Sequence, residues 1–351
     1  MNSTLIERRW QIFRQLTSLL RAEGLLEPTP SWYLSSLSMW LCLHIMLWGV
    51  VAGGFSPWLS ALALLIDAPV VLRLSLIVHD LGHGAGGLKA WIKRDIPRII
   101  WPTAVGFTFD FWRNFHVRHH SFNNVATRGK GDPTTDFAPF VLGIQQPLTS
   151  SLLLRYQGMT FWFATPVLAL GLIVSNLGQA ISRVWSTRGR DRGALMDLGL
   201  LLAGHGVHLT LPFLTHGMWV GMALQVLRIS VHSAWIKISL ALNHIGMVTF
   251  QGDENLDPLT EVALTTRNFR GPLARLFSWV LCWQIEHHLW PRMPAIHLPR
   301  AAEFTREVFR QEGLHYIDVP LHQAFAHSAR QLDRLARGDV LERGNLLGSG
   351  T

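Results

Sequence analysis

The sequence predicts an all-α polytopic membrane fold, four transmembrane helices with a cytoplasmic helical cap. Two observations carry that prediction. Only 15% of the 351 residues are charged and 49% are hydrophobic, with a mean hydropathy of +0.22; soluble domains carry about 25% charge. Several apolar stretches also reach the roughly 20 residues needed to cross a bilayer. The formal net charge of +8 would point to nucleic acid in a soluble protein. Membrane sidedness accounts for it here, so no nucleic-acid partner is expected.

The elements follow in order. Residues 1–30 form a cytoplasmic segment: Met1 to Leu26 holds four arginines and no apolar core of a signal peptide, and reads as a basic amphipathic helix on the membrane face. Trp32–Ala52 and Pro57–Val78 are the first two spans, joined by the uncharged turn GGFSP. Ala194–Leu214 and Met218–Leu242 are the next two, joined by THG. The basic segments Arg8–Arg21, Lys89–Arg98, Arg183–Arg192 and everything after Arg267 then share one side, which the positive-inside rule makes cytoplasmic together with both termini. The apolar stretch Met159–Leu177 is ambiguous. As a fifth span it would throw one set of basic segments outside, so it is read as a partly embedded or interfacial helix. Residues 31–320 thus form the membrane domain and 321–351 a cytoplasmic tail. Asp67 and Arg228 each fall about ten residues, roughly 15 Å, into their spans. Matched depth predicts that they meet as an ion pair, with His232 on the same face. Cys42 and Cys282 lie in apolar runs and make no disulfide or cluster pattern.

Eight of the seventeen histidines fall at the predicted cytoplasmic face. His79 and His83 stand in VHDLGHGAGG, His116, His119 and His120 in NFHVRHH, His244 in LNHIGM, and His287 and His288 in WQIEHHLWP. Each group alone has an ordinary reading as a helix cap or a basic surface segment. Together at one face they point to metal binding, and eight imidazoles suggest more than one ion. Gly82, Gly84 and Gly87 also match a dinucleotide-binding G-x-G-x-x-G. That loop needs a preceding strand in a soluble sheet, and a membrane span precedes it here. The glycines are expected instead to turn the chain out of the span and to allow close packing beside the metals.

HDLGH, HVRHH and QIEHH resemble the three histidine boxes of the membrane fatty acid desaturases. Gln284 in place of histidine, with NHIGM and HHLWPRMP, resembles the front-end branch, and the similarity runs from about residue 57 to 318. The resemblance implies four spans, a cytoplasmic dinuclear iron centre, and oxygen-dependent desaturation of an acyl chain carried on lipid, coenzyme A or carrier protein. It implies His79, His83, His116, His119, His120, His244, His287 and His288 as ligands. Gln284 would bind weakly if at all, and Asn243 would support the site from behind or through water. No haem-binding His-Pro-Gly-Gly motif is present and no flavin is expected. Electrons would come from an external donor such as a ferredoxin or small haem protein. Asp80, Asp132, Asp136 and Glu286 are candidate partners for the outer N–H of ligating histidines. A hydroxylase or acetylenase of the same family shares these boxes. A histidine-rich metal transporter is a further alternative, although its ligands would lie at mid-membrane. Arg183, Arg188, Arg190 and Arg192 are expected either to dock an acidic electron donor or anionic headgroups, or only to fix topology.

Overall fold

The computed structural model describes residues 3–126, 131–135, 155–250, 252 and 255–337. The chain divides into two compact units. The span unit comprises Thr29–Asn114 and Ala164–Lys237. The box unit comprises Met1–Pro28, Phe115–Phe163 and Ile238–Thr351.

Four helices among the described residues are long and apolar enough to cross a membrane: Pro30–Gly53, Pro57–His83, Thr165–Ser186 and Arg192–Ala241. Local chemistry sets the first boundary. Gly54 ends one helix in the left-handed region at φ 58, and Ser56 starts the next by accepting the Leu59 N–H at 3.2 Å ahead of Pro57. Arg192–Ala241 has 50 residues, far more than one crossing needs. It breaks at Gly217 (φ 75, ψ 178), in the predicted THG turn, into two helical halves. The stretch expected as one interfacial element over Met159–Leu177 is different. It is two helices, Gln157–Phe163 in the box unit and Thr165–Ser186 in the span unit, and the second has the length and hydropathy of a span.

Pro57–His83 is the central helix of its unit, with Val70, Leu74, Ile77, Val78 and Leu81 buried against Tyr33, Leu37 and Trp101. Its carboxylate Asp67 is completely buried. The predicted Asp67–Arg228 ion pair does not form. Asp67 accepts instead from His44 Nδ1 at 2.7 Å, Trp48 Nε1 at 3.0 Å and His232 Nε2 at 3.1 Å, while the Arg228 Nε–H donates to Gln225. Rotation about the helix axis turns His232, one turn after Arg228, toward Asp67 in its place. Arg183 is likewise engaged inside the unit, by Asp110, Asp191 and Asp197, and Arg98 joins it on Asp197.

In the box unit the N-terminal helix Ser3–Ala22 docks on protein. Phe13 stacks on Trp290 at 5.7 Å, Trp290 donates to Thr17, Arg9 donates to Thr260, Arg8 pairs with Glu312, and Leu16 and Leu20 are buried. Part of its apolar surface is therefore covered by the fold, while Trp10 and Leu19 stay exposed. Two three-residue strands depart from the all-α expectation: Asn268–Arg270 pairs in parallel with Asp318–Pro320. They join the segment before the third box to the segment before the last helix, over a core of Leu242, Phe269, Ala274, Cys282 and Ala324. That last helix, Leu321–Ala336, was expected as tail. It buries Ala324 and Leu332 fully, and Asp333 accepts the Gly158 N–H, so it is part of the unit.

Candidate metal centre

Helix Phe109–Ser121 carries His116, His119 and His120, and Asn124 follows it in the left-handed region at φ 57. The buried Asn124 amide faces the carbonyls of His244, Val248 and Thr265 at 3.0 to 3.2 Å. It thereby ties the second box to the turn that bears His244. Arg267, 1% exposed, braces the same turn from the other side, donating to the carbonyls of Leu242 and Ile245 and to Ser328. No carboxylate pairs with it among the described residues, and burial draws its guanidinium down to about 10.

His119, His244 and His288 bring one ring nitrogen each within 4.8 Å of one another. Hydrogen-bond valence fixes two of the three tautomers. His119 Nδ1 lies 2.9 Å from Asp132 Oδ2, and His244 Nδ1 lies 3.1 Å from the Thr265 carbonyl. Both partners only accept, so Nδ1 carries the hydrogen and Nε2 keeps its lone pair. The Nε2 atoms of His244 and His288 are buried without a hydrogen-bond partner among the described residues. Burial pushes the His244 imidazole down to about 3 and His288 well below its ordinary value, so both rings are neutral donors. Leaving a buried ring nitrogen unpaired costs about 1–3 kcal/mol. Neutral nitrogen lone pairs converging on one point are what a transition metal accepts. The residues fit a metal.

His116, His120 and His287 form a second set in the same unit. Their Nε2 atoms approach at 3.0 Å (His116 to His120) and 3.2 Å (His120 to His287). At most one hydrogen fits between each pair, so these atoms too converge with lone pairs to share.

The first box lies in the span unit. His79 and His83 sit one turn apart at the end of Pro57–His83, with ring centroids 4.8 Å apart. His79 Nδ1 is 2.9 Å from Asp80 Oδ1, and Asp80 accepts the buried Tyr33 hydroxyl on its other oxygen at 2.9 Å. Trp112 packs against both rings, at 5.5 and 6.4 Å. A Cβ at Gly82 would stand 2.8 Å from the Trp112 ring, and Gly84, Gly86 and Gly87 all have positive φ. The glycines thus provide close packing and an exit from the helix, as expected.

Of the four acidic candidates, Asp80 and Asp132 meet histidines. Burial works to raise the Asp132 carboxyl, but His119 and the amides of Asn124 and Thr134 hold it below the usual carboxylate range. Glu286 does not meet a ligand candidate. It accepts from Asn268 Nδ2 at 2.8 Å and the Tyr316 hydroxyl at 2.9 Å, and burial pushes its carboxyl up to about 7. Asp136 lies outside the described residues. Asn243 donates to the carbonyls of Arg267 and Leu281 at 2.9 Å; its buried Oδ1 and the buried Gln284 Oε1 have no partner among the described residues. Sequence reasoning missed Asn124, Arg267, Asn268 and Tyr316. Their positions carry no spacing signal, because each reaches its partner across the tertiary fold.

Residues 55–320 match the family model described as fatty acid desaturase. The chain is 25% identical over 346 residues to a fatty acid desaturase 2-like protein of Mus musculus, covering 95% of this chain and 68% of that protein. It is 26% identical over 354 residues to fatty acid desaturase 3 of Homo sapiens, covering 97% and 74%. It is 24% identical over 340 residues to a Delta(8)-fatty-acid desaturase of Euglena gracilis, covering 93% and 78%.

Proposed function

The chain belongs to the fatty acid desaturase family, and from that premise we propose that it introduces a double bond into a fatty acyl chain at a dinuclear iron centre fed by an external electron donor. The balanced reaction takes a –CH2–CH2– unit, O2, two electrons and two protons to –CH=CH– and two waters. The observation that carries the reading is the pair of histidine sets in the box unit, with Nε2 lone pairs aimed inward and outer nitrogens anchored on Asp132 and Thr265.

By the resemblance of the boxes, His79, His83, His116, His119, His120, His244, His287 and His288 would hold the two irons. Redox-active iron supplies the activation of O2 that an unactivated C–H bond requires, which zinc lacks. The protein's own work is placement. Asp132 and Asp80 hold His119 and His79 in the Nδ1–H tautomer. Asn124 and Arg267 fix the His244 turn, and Asn243 and Gln284 offer buried oxygens to bound water. The boxes face the cytoplasm, where a ferredoxin or small haem protein delivers the electrons.

The test is lipid analysis after expression in a host that lacks the product, alongside the His119→Ala/His120→Ala double variant. New unsaturated acyl chains are expected with the parent sequence alone. An accumulating hydroxylated or acetylenic product, or the same product from the double variant, contradicts the assignment.

A further inference from the structure

The two carboxylates that meet box histidines are held in different ways. Asp132 lies in a turn, where the Asn124 and Thr134 amides reach its two oxygens. Asp80 lies inside helix Pro57–His83, whose amides are spent along the helix itself. It is also the immediate neighbour of His79, and adjacent helical side chains do not face each other. The 2.9 Å approach of His79 Nδ1 to Asp80 Oδ1 therefore needs a hold on the carboxylate from outside the helix. Among the described residues that hold is one group, the Tyr33 hydroxyl, which donates to Asp80 Oδ2 at 2.9 Å.

Tyr33 comes from the first turn of Pro30–Gly53 and precedes residues 55–320, the stretch matched by the family model. Packing fixes its place. The side chain is completely buried, in the core that includes Leu74, Ile77 and Leu81. Trp32 meets the ring edge-on at 4.9 Å, and a Cβ at Gly86 would stand 2.5 Å from it. Gly86, at φ 80, thus lets the turn after the first box close over the ring. Packing alone would be served by phenylalanine, which outnumbers tyrosine 18 to 3 in this chain. Yet two of the three tyrosines donate to a carboxylate within a histidine box, Tyr33 to Asp80 and Tyr316 to Glu286. Of these carboxylates, Asp80 is the one that meets a histidine.

We propose that Tyr33 is a positioning residue for the first box. Its hydroxyl fixes the Asp80 carboxylate, and through it keeps the hydrogen of His79 on Nδ1 and leaves Nε2 open to metal. This role rests on the iron reading of the boxes and concerns one metal only, because His79 is not part of the set formed by His119, His244 and His288.

The test is anaerobic titration of the iron-free full chain, in neutral detergent, with iron(II) in competition with a chromophoric chelator. The parent should bind iron in two steps. Tyr33→Phe keeps the buried ring and should leave one step unchanged. It should weaken the other about tenfold, the lower end of the range for outer partners of ligating histidines. In an Asp80→Ala background the same substitution should cost nothing further, whereas a packing role would weaken binding equally in both backgrounds. If Asp80→Ala does not fold, the comparison of the two steps in Tyr33→Phe decides. Unchanged affinity in Tyr33→Phe, equal weakening of both steps, or a further loss in the Asp80→Ala background would each overturn the role of Tyr33 and leave the iron reading in place. A parent chain that takes up fewer than two irons overturns both.

Discussion

Asp132→Asn isolates what one carboxylate does for the centre. Asp132 Oδ2 accepts from His119 Nδ1 and the Asn124 amide, both at 2.9 Å, and Oδ1 accepts the Thr134 amide at 2.8 Å. An asparagine has one oxygen for these two sides. Turned toward Thr134, it points its NH2 at His119, whose hydrogen must move to Nε2 and block the lone pair meant for metal. Turned toward His119, it points its NH2 at the Thr134 N–H and offers the ring a neutral acceptor in place of a charged one. In either orientation a buried hydrogen bond to a charged acceptor is lost, worth about 1.5–3 kcal/mol. At 1.4 kcal/mol per decade that is roughly 10- to 100-fold in metal affinity, the range seen when outer partners of ligating histidines are removed. The assay is iron retained by the purified full chain across a chelator series, with double-bond formation measured on the same samples. Retention and turnover equal to the parent would refute the claim that Asp132 sets the His119 tautomer.

Three further outcomes follow from the same geometry. His244→Ala should fold, because Asn124 and Arg267 hold that turn through backbone carbonyls, yet lose iron and activity; full activity would return His244 to an ordinary buried histidine. Asp67→Asn should lower stability by about 3–5 kcal/mol, the cost of breaking one side of a buried charged network, and an unchanged thermal unfolding temperature would contradict the network. Neutralising Arg188, Arg190 and Arg192 to glutamine should raise the KM for an acidic electron donor and flatten the salt dependence of turnover. Arg183→Gln should instead act on stability, since its guanidinium is taken by three aspartates. A salt response identical in the parent and the triple variant would leave those arginines with topology alone.

Local spacing made the boxes legible. HDLGH places two imidazoles a turn apart and NFHVRHH places three on neighbouring turns, before any tertiary contact is known. The paired carboxylates were only half legible. Asp80, Asp132 and Glu286 looked equivalent in sequence, and packing separated them: Asn268 and Tyr316 take Glu286 away from the neighbouring His287. Asp67 shows a similar limit, because residue counting gives depth along a helix while its contacts depend on rotation and tilt. The N-terminal helix was legible as amphipathic, but an apolar stripe does not say whether lipid or Trp290 will cover it. The parallel strand pair could not be foreseen, since three residues carry too little alternation to announce a strand.

The measurement that bears most directly on the central claim is metal content set against turnover on the same purified full chain. The account predicts that double-bond formation rises in proportion to iron and saturates at about two irons per chain, with zinc-loaded protein inactive. Full turnover with stoichiometric zinc and no iron, or saturation at a single iron, would contradict it.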